Sequence, residues 1–121
     1  MILRQALFEG RIHPGREAEF RAYVDAALLP LWRRFPGLRE LRVLHEIDRD
    51  DGVPPVALAL CMAFEDRAAL AAALDAPIRY QSREVTKGLL ALFDGQVRHH
   101  VFDLAHDEAG QALGADGAGD A

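Results

Sequence analysis

The stretch VALALCMAF, residues Val56–Phe64, decides how the rest of this chain must be read. Large Val56, Leu58, Leu60 and Met62 alternate with small Ala57, Ala59, Cys61 and Ala63, and no charge interrupts them. Successive side chains of a strand point to opposite faces, so this strand is apolar on both. It is far shorter than the ~20 residues of a membrane-crossing helix. A strand apolar on both sides belongs in the middle of a sheet that is covered on both faces.

Upstream, Ile2–Ile12 reads as a second strand of this kind, with Leu3 and Leu7 on one face and Ala6 and Phe8 on the other. Gly10 within it signals a bulge or a close backbone approach. After a His13-Pro14-Gly15 turn, Phe20, Val24, Ala27, Leu28, Leu31 and Phe35 recur at helical spacing. Pro30 lies inside that helix and predicts a kink or a break, because proline lacks the N–H that the helix needs. Leu38–Ile47 alternates Leu41, Val43 and Ile47 against Glu40, Arg42 and Glu46, which describes a strand with one wetter face. DRDDGVPP (Asp48–Pro55) is a turn by composition.

Downstream, Asp66 is a suitable N-cap for an Ala/Leu-rich helix to Leu74. Pro77 suits the first turn of a further helix, whose apolar stripe is Ile78, Val85, Leu89 and Leu92. Asp94-Gly95 reads as a turn. Gln96–Leu104 is the last strand, with Val97 and Val101 alternating against Arg98, His100 and Phe102. From Ala105 to Ala121 the chain is small, acidic and Gly-rich. Such a segment cannot bury enough apolar area to offset its ordering entropy, so it is predicted to be disordered.

The order β-α-β-β-α-β, with the second helical region in two pieces, is the split βαβ pattern of a ferredoxin-like α+β sandwich. The domain is expected to span residues 1–104 and the tail 105–121. The first and third strands are expected at the centre and the second and fourth at the edges. Helices cover one sheet face only. The other would leave Leu and Phe side chains in water, so a homodimer joined through the open sheet face is predicted.

The chain has 121 residues and a formal net charge of −5, with Asp107, Glu108, Asp116 and Asp120 of the tail supplying most of the excess. No basic stripe is present, which argues against nucleic acid and anionic lipid as partners. Met1–Ile12 carries Arg4 and Glu9 and lacks a small-residue cleavage site, so no secretory signal is read there. Cys61 is the only cysteine, which leaves no intrachain disulfide and no cysteine-based metal cluster. The expectation from these features is a cytoplasmic protein.

Three segments carry a resemblance: PGREAEFRAYVDAALLPLWRRFPGLRELRV (Pro14–Val43), FEDRAALAAAL (Phe64–Leu74) and LFDGQVRHHVFDL (Leu92–Leu104). With the strand order, they resemble the dimeric α+β barrel superfamily, and within it the EthD-like proteins and the related antibiotic-biosynthesis monooxygenases. The resemblance implies oxidative or degradative chemistry on an apolar substrate without metal or bound cofactor. One position departs from it. EthD-like proteins tend to carry a histidine two residues before the Pro-Leu that corresponds to Pro30-Leu31, and here Leu28 stands there.

Candidate site residues follow from residue type. His99 and His100 point to opposite faces of a strand and cannot jointly hold one metal ion. His100, beside Arg98 and Phe102, is the candidate general base, since an unperturbed imidazole titrates near ~6.5. A histidine at a dimer contact is the competing reading. Tyr23 is the second catalytic candidate. Tyr80 and Trp32 join it as aromatics suited to a pocket wall, although ordinary core packing is the commoner role for such residues. Arg42, Glu46 and Arg98 are candidates for binding a polar ligand group, although Arg42 and Glu46 could simply form an edge-strand ion pair. His45 reads as a satisfied, partly buried histidine, and Cys61 as core. No metal site is read, since one needs about three convergent His or carboxylate ligands. No phosphate-binding, dinucleotide-binding, nucleophile-elbow or zinc-protease motif occurs. Three functions remain open: a cofactor-independent enzyme on a small apolar molecule, a non-catalytic accessory or ligand-binding dimer, and a purely structural dimeric module.

Overall fold

Four antiparallel strands form one sheet in the order β2-β3-β1-β4, in a computed structural model that describes residues 1–108. They are β1 (Ile2–Ile12), β2 (Glu40–Leu44), β3 (Val56–Phe64) and β4 (Phe93–Asp103). The two strands read as apolar on both faces are the central pair, and the ferredoxin-like fold is as expected. The predicted disorder of 105–121 falls, apart from Ala105–Glu108, outside the described residues.

The helices lie on one face: α1 (Glu17–Tyr23), a π turn (Val24–Leu28), α2 (Leu29–Trp32), α3 (Arg67–Asp75) and α4 (Pro77–Leu90). Against them β1 presents Ile2, Ala6 and Phe8, and β3 presents Leu58, Leu60, Met62 and Phe64, all buried. Phe20, Val24, Leu28 and Leu89 are fully buried above this floor. Phe93 joins the two layers, with its ring 6.0 Å from that of Phe8 and 6.1 Å from that of Phe20. Asp66 caps α3 as predicted, its Oδ1 accepting from the Ala69 N–H at 2.9 Å.

The first helical region is interrupted ahead of Pro30, as expected, and continues as the short second piece α2. The backbone widens through the π turn just before it, where the Leu29 N–H donates to the Val24 carbonyl five residues back. The buried residues explain why. Phe20, Val24, Leu28 and Trp32 are spaced by four. On a regular helix of 3.6 residues per turn, such a stripe drifts by about 40° at each step. A wider turn in the middle brings it back over the sheet.

Two sequence expectations need correction. β2 covers only Glu40–Leu44, not Leu38–Ile47, and Ile47 is 92% exposed. Asp94-Gly95 is not a turn; it lies inside β4, where Asp94 pairs with Arg11 and Gly95 with Gly10. Paired glycines allow the two backbones to approach without side chains between them. A Cβ on Gly10 would stand 2.0 Å from the Asp94 carbonyl oxygen, and one on Gly95 2.0 Å from that of Glu9. Gly10 therefore marks the close approach, while the β1–β3 register slips nearby, between Phe8 and Glu9.

Replacing either glycine with alanine should lower stability by about 1–3 kcal/mol, as overpacking does elsewhere. Thermal unfolding of Gly10→Ala and Gly95→Ala would check this.

Candidate functional site

Between the helices and the sheet lies a cavity of about 460 Å³. Its floor is apolar and comes from the helix-facing rows of three strands: Ala6 and Phe8 of β1, Leu60 and Met62 of β3, Val97 of β4. Trp32 and Phe35, at the end of the first helical region, form one wall. α4 forms the other and turns a polar stripe toward the space. Arg79, Ser82, Arg83, Thr86, Lys87 and Leu90 line it, recurring every three to four residues.

The charges in this cavity are all of one sign. Arg4 rises from the floor, and Arg79, Arg83 and Lys87 come from α4, while no Asp or Glu among the described residues lines the space. Lys87 is held by Glu84 at 2.9 Å. Arg79 donates to the Leu74 carbonyl at 3.3 Å, and its guanidinium lies 5.6 Å from the Tyr80 ring centre. Burial, and then the Arg79 charge, make Arg4 easier to deprotonate than a free arginine.

His99 also lines the cavity and is exposed at its rim. It sits in the β4 row between Val97 and Val101, opposite Ala6, with Arg4 two residues along the same face of β1. Burial pushes its pKa down to about 4, helped by the charges of Arg4, Arg79 and His100. The imidazole is therefore neutral at neutral pH, able to donate one hydrogen bond and accept another.

The sequence-predicted residues do not gather here. Of them only Trp32 lines the cavity. His100, Arg98 and Arg42 lie on the other, open sheet face: His100 is exposed and stacked on Phe102 at 6.0 Å, and Arg98 pairs with Glu9 at 2.8 Å. Arg42 and Glu46 form no pair. The strand ends before Glu46, so Arg42 approaches Glu40 at 3.7 Å and Glu46 takes Arg49 at 2.9 Å. Glu46 instead borders an open recess beside the Asp48–Pro55 turn. Tyr80 is 47% exposed on α4 and does not line the cavity. Tyr23 spends its hydroxyl on the Val85 carbonyl at 2.6 Å. It crosses α4 at Gly88, where a Cβ would meet its oxygen at 2.2 Å. His45 is not satisfied as expected, since its buried Nδ1 has no hydrogen-bond partner among the described residues.

The missed residues did leave a signal. Arg4 falls on the core row Ile2-Arg4-Ala6-Phe8, and His99 on the apolar row Val97-His99-Val101. A charge on a row otherwise destined for the core is more informative than a pair of adjacent histidines. Among the described residues, no three His, Cys, Asp or Glu side chains converge as a metal site would require. No described helix is long and apolar enough to cross a membrane.

No protein-family profile matches the chain, and no curated protein matches it in sequence. Solved structures do match its fold. An ethyl tert-butyl ether degradation (EthD) family protein from Bacillus halodurans superposes with a TM-score of 0.70 at 20% identity, over 86% of this chain and 98% of that one. SnoaB, a cofactor-independent oxygenase from Streptomyces nogalater, gives 0.61 at 22% identity over 88% and 94%. A dimeric protein of unknown function with a ferredoxin-like fold, from Bacteroides fragilis, gives 0.61 at 11% over 85% and 95%. At these identities the likeness establishes the fold.

Three measurements check the site. The His99 ring should titrate by NMR with a midpoint near 4. Its pKa is lower in the folded chain than in the unfolded one, so the stability it supports is complete above about 6.5 and is lost as pH falls toward 4. His99→Gln should flatten that part of the stability profile, and His45 contributes with the same sign. Tyr23→Phe should cost about 1 kcal/mol, the worth of one hydrogen bond, without altering the cavity.

Proposed function

We propose that this chain is a small-molecule-binding protein of the EthD-like and monooxygenase-like kind. It works as a homodimer, and its ligand occupies the cavity between the helices and the sheet. The observation that carries this reading is the cavity itself. About 460 Å³ is left open over an apolar floor, within the size range of small-molecule sites. A core without a ligand to hold would be filled by its own side chains.

Within that reading, the chemistry falls to His99. A neutral imidazole at the rim can hold a polar group of the ligand in place, and it becomes a competent proton acceptor once negative charge on the ligand offsets Arg4 and Arg79, which disfavour its protonated form. Arg4 and Arg79 stabilise negative charge that develops on the ligand as the proton leaves. No tightly bound cofactor is invoked for this step. A second reading, a non-catalytic ligand-binding or accessory dimer, is favoured by Leu28. That position is fully buried inside the π turn and offers no titratable group. Native mass spectrometry of the purified protein would look for a retained small molecule. Turnover of that molecule supports the enzyme, and its unchanged retention supports the accessory role.

The dimer is argued from the open sheet face. Leu3, Leu7, Leu44 and Phe102 lie on it, around the small Ala59, Cys61 and Ala63, and Phe102 and Leu44 remain 49% and 53% exposed. The face also carries both signs, Glu9 and Glu40 with Arg42 and Arg98, so a twofold copy can match it. The Bacteroides fragilis protein of the same fold is described as dimeric. Sedimentation should give a dimer at micromolar concentration and a monomer for Phe102→Arg; a monomeric parent chain would overturn the assembly.

A further inference from the structure

We infer that the cavity is built for an organic anion: a carboxylate or similar singly charged head between Arg4 and Arg79, with an apolar body lying over Phe8, Leu60 and Met62 toward Trp32. The inference deepens the proposed function and rests on the cavity being the ligand site.

The charge distribution is the first argument. The whole chain carries a net −5, yet among the described residues this one space is lined by four cationic side chains and no acid. Arg4 is the second. It occupies the only charged position in the helix-facing row Ile2-Arg4-Ala6-Phe8, on a central strand where every other residue of that row is buried. A guanidinium withdrawn from water beside a second guanidinium is costly unless something of opposite charge completes it. Of the four cations lining the cavity, the ion pairs among the described residues occupy Lys87 alone and leave Arg4, Arg79 and Arg83 without a carboxylate. A ligand head is the missing partner. Guanidinium donors form a planar fork that matches a carboxylate or sulfonate.

The floor sets the rest of the ligand. It is apolar across three strands, so it favours a hydrocarbon or aromatic body and leaves a strongly hydrated polyanion without partners for its further charges. Lys87 is offset by Glu84, but Arg83, exposed on α4, adds a positive field that raises the arrival rate of anions and repels cations.

Trp32 is the only tryptophan in the chain and lines the cavity, so its emission reports directly on occupancy. The test titrates the full chain with three spectroscopically silent probes of equal length: octanoate, octanamide and octylamine. Octanoate should shift Trp32 emission and bind at least about tenfold tighter than octanamide, the margin expected of charge-assisted hydrogen bonds. Octylamine should leave the emission unchanged. Arg4→Met and Arg79→Met should each remove about tenfold of octanoate affinity and leave octanamide binding as it was. Methionine relieves a buried charge at similar length, so the fold is expected to survive, and circular dichroism confirms it. Octane-1-sulfonate, ionised throughout, should also raise the midpoint of the His99 ring titration by screening Arg4 and Arg79. Equal binding of octanoate and octanamide would overturn the anion while sparing the cavity as a ligand site. Silence of Trp32 toward all three probes would overturn both. Arg variants that bind octanoate undiminished, or a His99 midpoint unmoved by the sulfonate, would also overturn the inference.

Discussion

The hydrogen-bond register of β1 against both of its neighbours is the constraint on which everything else depends. β1 pairs with β3 on one side and β4 on the other along nearly its whole length. Once the pairing is set, the alternation of a pleated strand sends each residue to one face or the other. Ile2, Arg4, Ala6 and Phe8 go toward the helices, and Leu3, Gln5 and Leu7 away from them. The same parity, carried across the ladder, puts His99 under α4 and His100 outside. A slip of one residue would exchange the two histidines and move Arg4 out of the cavity. The Gly10–Gly95 crossing supports this register, because only residues without Cβ atoms can face each other there.

Much of the fold could be read from the chain before its structure was known, because alternation and helical spacing are signals of burial, and burial is what sheets and helices share out. Val56–Phe64 announced a central strand by being apolar on both sides. The site was legible only in part, for a different reason. A ligand cavity is a place where burial rules are broken, so its residues appear as exceptions within otherwise ordinary rows. Arg4 and His99 are such exceptions. Residue type alone points instead to His100, Arg98, Arg42, Glu46 and Tyr80, which stand elsewhere in the fold. Tyr23 shows the other side of this. An aromatic hydroxyl with catalytic potential is occupied in seating one helix on another, and its cue was Gly88, sixty-five residues further on.

The length of β2 was not legible either. Leu38–Ile47 alternates throughout, but a strand persists only while a neighbour supplies hydrogen bonds. β3 stops supplying them after Leu44 pairs with Ala59. His45 is left just past the end of the ladder with a buried ring nitrogen that has no partner among the described residues. Propensity describes what a segment could do, and the partner strand determines how far it does it.

The π turn has a consequence for how this chain can change. It accommodates one residue more than a regular helix would between Phe20 and Trp32, while both flanking turns keep their seats on the sheet. Helices normally transmit an added residue as a rotation of everything beyond it, which would carry Trp32 and Phe35 away from the cavity. Here the surplus is taken up locally. The segment ahead of Pro30 is thus where a lineage of such proteins could gain or lose a single codon in a helix and still inherit the same wall of the same chamber.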